Sequence, residues 1–383
     1  MIYLDNAATT KTSAAVTEKM LPWFSENYGN PSSIYKLGQK SKEAVTKARD
    51  QVSKVINCHA NEVFFTSGGS EANNWAIISA FEAFKLKGNH IITTKIEHPS
   101  VLNTCKYLER ERGADITYLD VDEFGSVSPA DIENAVKQNT ILVSVMTANN
   151  EIGTIQPIKR IGSICRKNGI IFHTDAVQAF GHIPLNVLEM NIDMLSASGH
   201  KFNGPKGVGF LYIRKDIKVP ALIRGGAQEH NRRAGTENVP AIVGMGYAAE
   251  FANQDIEKRA FVERDLQKYF ITALKAKIPD IKLNGPQNLN NRLSNNINIS
   301  FCSADGESII IMLDMQDIYV SSGSACSSGS LDPSHVLKAI GLSDDLARSA
   351  VRFTLSYENT KEELNIAADA VAKAVSKLRT CEF

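Results

Sequence analysis

From about Glu62 to Ile213 the chain alternates short apolar runs, rich in β-branched residues, with longer amphipathic segments. The runs are "EVFFT", "HIITT", "ITYLDV", "ILVSVMT", "GIIFHTD", "DMLSAS" and "VGFLYI". Intervening segments such as "EANNWAIISAFEAFKL" and "PIKRIGSICRKNG" space their apolar residues as a helix does and end at Gly or basic residues. Strand and helix in alternation give an α/β fold: a mostly parallel seven-stranded sheet with helices on both faces. Ligands of such sheets gather beyond the carboxyl ends of the strands. Chemistry is therefore to be sought at the strand exits.

The 383 residues exceed what one small core organises, so a second unit is expected. After Pro240 a long helical stretch should reach about Lys277. The remainder reads as a smaller α+β unit, with strands at "LSNNINISF", "IYVS" and "VRFTLS" and helices near "ADGESIIIMLD" and "KEELNIAADAVAKAVSKL". The 42 acidic and 42 basic side chains balance, which argues against a dedicated nucleic-acid surface. "MIYLDNAATT" carries no secretory pattern, and no run approaches the ~18 apolar residues of a membrane span. The six cysteines form no C-x-x-C pair and the histidines no H-x-x-x-H, so neither a disulfide framework nor a resident metal is expected. A reducing cytoplasm is the simplest compartment.

Several strand exits carry suggestive residues, each with an ordinary alternative. "TSGGSEANN" opens a helix, where small residues and free N–H groups attract an anion and Ser70 adds a hydroxyl; alternatively Ser70 merely caps that helix. Asp175 ends an apolar strand and needs a cationic or N–H partner there, although taken alone a helix-capping Asp is the more ordinary reading; Gln178 follows three residues on. "SGHKFNGPKG" offers Lys201 and Lys206 and lacks the G-K-[ST] of a P-loop; the residues alone do not choose between the lysines. His98 in "IEHPS" could stack on an aromatic cofactor and shuttle protons, although a lone histidine is ordinarily just a satisfied or exposed residue, and Asn149 and Asn150 could bond a ligand or form a turn. Cys326 sits in "SSGSACSSGS", eight of whose ten residues are Ser or Gly, a polar setting that leaves a thiol reactive. Cys58 and Cys381 look incidental, while Cys105, Cys165 and Cys302 fit core patterns. An anion cradle, a desolvated carboxylate, a lysine and a histidine together suit an aldehyde cofactor bearing a phosphate and a pyridine ring.

The motifs "YLDNAATT", "YGNPSS", "TSGGSEANN", "EHPSVL", "NNEIGTIQP", "FHTDAVQ", "SGHKFNGPKG", "RRAGTEN", "SSGSACSSGSLDPSHVL" and "VRFTLS" span nearly the whole chain. In this order they resemble the cysteine desulfurases, class V members of the fold-type I pyridoxal-phosphate enzymes, in the branch with nitrogen-fixation and housekeeping iron–sulfur enzymes. The resemblance implies a large domain over 15–255 and a small one over 1–14 and 256–383, with a cysteine loop at about 321–332. It implies that Lys201 links covalently to pyridoxal 5'-phosphate, that Asp175 pairs with the ring nitrogen, that Gln178 contacts the ring oxygen and that His98 stacks on the ring. Gly69, Ser70, Ser198 and His200 would hold the phosphate. Asn150 and Arg352 would orient L-cysteine, with Asn30 nearby, and Thr236 would reach the phosphate of a neighbouring subunit in a homodimer. Catalysis would fall to Lys201, His98 and Cys326, the last receiving sulfur as a persulfide and available as a transient iron–sulfur ligand. Two departures stand out. Ser70 replaces a threonine found in many relatives. The chain also ends at "KLRTCEF", short of the tail that docks a scaffold protein in housekeeping members, which leaves the sulfur acceptor open.

Overall fold

The computed structural model describes residues 1–322 and 333–380; Cys326, Cys381 and most of the Ser/Gly stretch lie outside them. All seven expected strands form. Their order across the sheet is Val63–Thr66, Gly209–Ile213, Met194–Ser198, Ile171–Asp175, Thr140–Ser144, His90–Thr94, Asp115–Leu119. Only Gly209–Ile213 runs against its neighbours. The central strands are buried along their whole length, as "HIITT", "TILVS", "IFHTD" and "MLSAS" suggest, because apolar cores cover both faces.

Helix boundaries follow local chemistry. The helix Pro99–Arg112 begins where His98 accepts the Ser100 N–H, has Pro99 in its first turn, and ends at Gly113 with φ 71°. The helix Gly69–Phe84 starts two residues earlier than a Ser70 cap would place it. Gly68 holds the cap position without a side-chain bond, and Ser70 is exposed, so the capping alternative for Ser70 is not realised.

The smaller unit centres on Asn296–Phe301, flanked antiparallel by Ala350–Thr354 and by Ile281–Leu283, a three-residue strand too short for periodicity to flag. Ile256–Lys277 and Lys361–Thr380 contribute to its core, where the Phe270 and Phe353 rings meet edge to face at 5.2 Å. Two expectations need correction. The helical stretch after Pro240 is two helices, Val239–Gln254 and Ile256–Lys277, broken at Asp255. "IYVS" is not a full strand of the three-stranded sheet: Ile318–Tyr319 pairs in parallel with Ile2–Tyr3 at the N-terminus, and Ser321 makes an isolated antiparallel bridge to Arg352 of Ala350–Thr354. Cys105 and Cys165 are buried as expected, whereas Cys302 is only half-buried, just past its strand.

Among the described residues no helix is long and apolar enough to cross a membrane, and no cluster of His, Cys, Asp and Glu could hold a metal ion.

Candidate active site

The exits of five strands and the buried Arg352 converge on one cavity of about 480 Å³. Its walls include Gly69, Ser70, His98, Asn150, Asp175, Gln178, Ser198, His200, Lys201 and Arg352. The choice between the lysines is thereby made by position. Lys201 ends the short turn Gly199–Lys201 directly after Met194–Ser198 and faces the cavity, while Lys206 is exposed. Lys201 Nζ donates to the carbonyls of Ala7 and Ala8, both at 2.7 Å. Gln178 Nε2 donates to the same Ala7 carbonyl at 3.0 Å, so the N-terminal segment lies across the pocket floor.

Asp175 is almost fully buried and well partnered. Its Oδ1 accepts the Val177 N–H at 2.9 Å and its Oδ2 accepts from Asn73 Nδ2 at 2.7 Å. Asn73, one helical turn beyond Gly69, was not anticipated. Its Oδ1 has no hydrogen-bond partner among the described residues although it is buried in the cavity wall. His98 Nδ1 accepts the Ser100 N–H at 3.1 Å, which leaves Nε2 to carry the ring proton. Burial pulls the His98 pKa below the usual range, helped by Lys201 and His335 and opposed by Asp175, so the ring is neutral near pH 7. Burial also takes His200 down to about 4, with Lys201 and Lys206 adding to the effect.

Arg352 is held from two sides, by Asp5 Oδ1 at 2.8 Å and by the Asn150 carbonyl at 3.0 Å. Asn149 and Asn150 part company. Asn149 is wholly buried in a turn, accepting the N–H groups of Glu151 and Ile152 and donating to the Ile96 carbonyl; Asn150 alone lines the cavity. The ligand role considered for Asn149 is thus replaced by a structural one. Asn30 and Thr236 are exposed and do not line this cavity.

Three further lining or adjacent groups went unseen in the sequence: Glu97, Glu151 and His335. Glu97 and Glu151 each sit beside a strand-exit residue that was singled out. A single acid in each of "IEHPS" and "ANNEIGTIQP" was the available signal. The nearby loop is braced as well. Arg233 makes a paired bond to Glu71 at 2.8 and 3.0 Å, tying the segment before Thr236 to the first turn of Gly69–Phe84. That arginine and the Ser67 contacts outweigh burial and hold the Glu71 carboxyl below its usual range.

Fold and site together define an α/β protein whose pocket presents a lysine amine, a buried carboxylate and a glycine-rich helix start. A model of the class-V aminotransferase family matches residues 2–366. Cysteine desulfurase IscS of Clostridium botulinum is 52% identical over 378 residues, covering 99% of this chain and 95% of that protein. Cysteine desulfurase IscS of Methanosarcina thermophila is 50% identical over 378 residues, covering 99% and 93%. A solved structure described as a NifS-like protein superposes with a TM-score of 0.92 at 37% identity, covering 98% of this chain and 99% of that one. Another, SspA in complex with cysteine, superposes with a TM-score of 0.81 at 37% identity, covering 94% and 100%. The chain belongs to the class-V aminotransferase family.

Proposed function

We propose that this chain is a pyridoxal-phosphate-dependent cysteine desulfurase: L-cysteine becomes L-alanine, and the sulfur passes to Cys326 as a persulfide. The observation that carries the reading is the convergence of Lys201, Asp175, His98, Ser198, His200 and Arg352 on one cavity. The relatives named cysteine desulfurase and the neighbour holding cysteine support the substrate.

The residues present fit the cofactor. A Cβ at Gly69 would stand 2.6 Å from Val177 Cγ2, so only glycine leaves the helix start open for a phosphate. Ser70, Ser198 and neutral His200 add donors, and Asp175 is a buried carboxylate placed to pair with a protonated ring nitrogen. When bound, the cofactor supplies an electron-withdrawing ring that acidifies the α-proton of an attached amino acid.

The chain's own groups do the rest. Lys201 Nζ, fixed by two carbonyls, holds the place from which an α-proton is taken and returned. Arg352, braced by Asp5, receives the substrate carboxylate, and Asn150 orients it. His98, neutral, takes up the proton that a thiol releases. The Cys326 thiolate forms a bond to the substrate sulfur. The substrate's carbon–sulfur bond breaks with its electron pair left on carbon, and a proton completes alanine.

The domain division at 15–255 against 1–14 with 256–383 places this chemistry between two units. A homodimer accounts for Thr236 and Asn30: both are exposed in one chain, and Leu21, Phe24, Tyr28, Ile34 and Tyr35, close to Asn30 in the sequence, are exposed large apolar side chains. Thr236 would then serve the partner's phosphate site. A reducing cytoplasm suits a working thiol, and an iron–sulfur scaffold or other thio-cofactor protein would take the sulfur onward. The test is product balance. Purified protein given L-cysteine should yield alanine and protein-bound sulfur in equal amounts, and Lys201→Ala should yield neither. Alanine formed at the native rate by Lys201→Ala would refute the assignment.

A further inference from the structure

The residues that follow the Cys326 segment are pegged to the pocket at two points. Ser334 lies eight positions after Cys326 and is buried. Its hydroxyl donates to Glu151 Oε2, and its Oγ accepts the N–H groups of Val336 and Leu337 at 3.2 and 3.3 Å, capping the helix His335–Ala339. His335 Nε2 donates to the Glu97 carbonyl at 3.0 Å. Val336 and Leu337 pack with Ile96, Met146 and Ile152 in a separate apolar cluster.

Both pegs land one residue from a pocket group: Glu97 precedes His98, and Glu151 follows Asn150. The two receiving turns are themselves joined, since Asn149 bonds Ile96 on one and Glu151 and Ile152 on the other. Asn296 and Asn298 of the smaller unit hold the Glu151 carbonyl, both at 3.2 Å. A serine caps a five-residue helix without help from a buried acid. Placing Glu151 there, 3% exposed, is needless for the helix and expensive for the fold. Its benefit lies in fixing where the chain leaves the pocket wall. Eight residues reach at most about 28 Å, and a tether raises effective concentration only while its root is fixed.

We propose that Ser334 and His335 are positioning residues for sulfur transfer, pegging the root of the Cys326 segment to the turns that carry His98 and Asn150. This rests on the function proposed above. It makes the pegs necessary for persulfide formation and dispensable for holding L-cysteine in the pocket.

The test separates the two half-reactions in the holoenzyme. Binding is followed by the change in the cofactor's absorption when L-cysteine is added, and transfer by the rate at which persulfide appears in a single turnover. Ser334→Ala removes cap and peg. Ser334→Gly removes the peg but keeps a good N-cap residue. Ser334→Thr keeps both. We expect Ser334→Ala and Ser334→Gly to bind L-cysteine as the native enzyme does and to form persulfide at least about tenfold more slowly, a barrier change of roughly 1.4 kcal/mol, with Ser334→Thr restoring the rate. Native transfer in Ser334→Gly overturns the proposal, as does a loss of binding in step with transfer. A native enzyme that binds L-cysteine and forms no persulfide refutes the functional reading and removes the basis of this one.

Discussion

Replacing Glu97 with glutamine tests how the pocket wall is charged. The Glu97 side chain is fully enclosed. Its Oε1 accepts from the Thr94 hydroxyl at 2.8 Å and the Met146 N–H at 2.9 Å, while Oε2 has no hydrogen-bond partner among the described residues. Burial, with a smaller push from Asp175, raises its pKa from 4.5 to about 8. In that interval the folded protein keeps a proton that the unfolded chain has released. Stability is therefore unaffected below the unfolded value and falls as pH rises towards the folded one. At about 1.4 kcal/mol per pH unit, the whole window is worth on the order of 5 kcal/mol. Glutamine keeps the shape and one acceptor oxygen and does not titrate. Urea unfolding of both proteins from about pH 5 to about pH 8 should show Glu97→Gln gaining on the native chain by several kcal/mol as pH rises. Comparing the two cancels groups common to both. Parallel pH profiles would refute the claim that this acid is held neutral by burial.

Other perturbations have equally definite outcomes. Gly69→Ala puts a methyl 2.6 Å from Val177 Cγ2 and should weaken retention of the cofactor measured by dialysis and absorbance; Val177→Ala in the same chain should recover part of it. Arg352→Lys keeps the charge but gives up the fork that spans Asp5 and Asn150, so KM for L-cysteine in steady-state alanine assays should rise by tenfold or more, about 1.4 kcal/mol. Asp175→Asn leaves Asn73 facing another amide and removes the buried carboxylate; exchange of the substrate α-proton with deuterated solvent, followed by NMR, should slow by at least about a hundredfold.

The sheet was legible because each strand is a short β-branched run that both faces bury, and that signal survives without tertiary information. The smaller unit was less so. Ile281–Leu283 is too short to show a period, and Ile318–Tyr319 finds its partner more than 300 residues away, at Ile2–Tyr3. The break at Asp255 carries no proline or glycine to announce it. In the site, strand-exit position drew attention to Asp175 and His98 without deciding between ligand and structural roles, and only the geometry shows that Lys201 rather than Lys206 lines the cavity. Asn149 misled because a buried amide serves a turn as well as it serves a ligand. Asn73, Glu97 and Glu151 escaped notice because each works through contacts with residues distant in sequence.

The central claim is that sulfur from L-cysteine is loaded onto one thiol of this chain in a pocket built around Lys201. Peptide mass spectrometry after incubation with L-cysteine tests it most directly. The account predicts one added sulfur atom on the peptide containing Cys326 in the native protein, and none anywhere in Cys326→Ala or Lys201→Ala. Added sulfur on a different cysteine, or on Cys326 when Lys201 is absent, would contradict it.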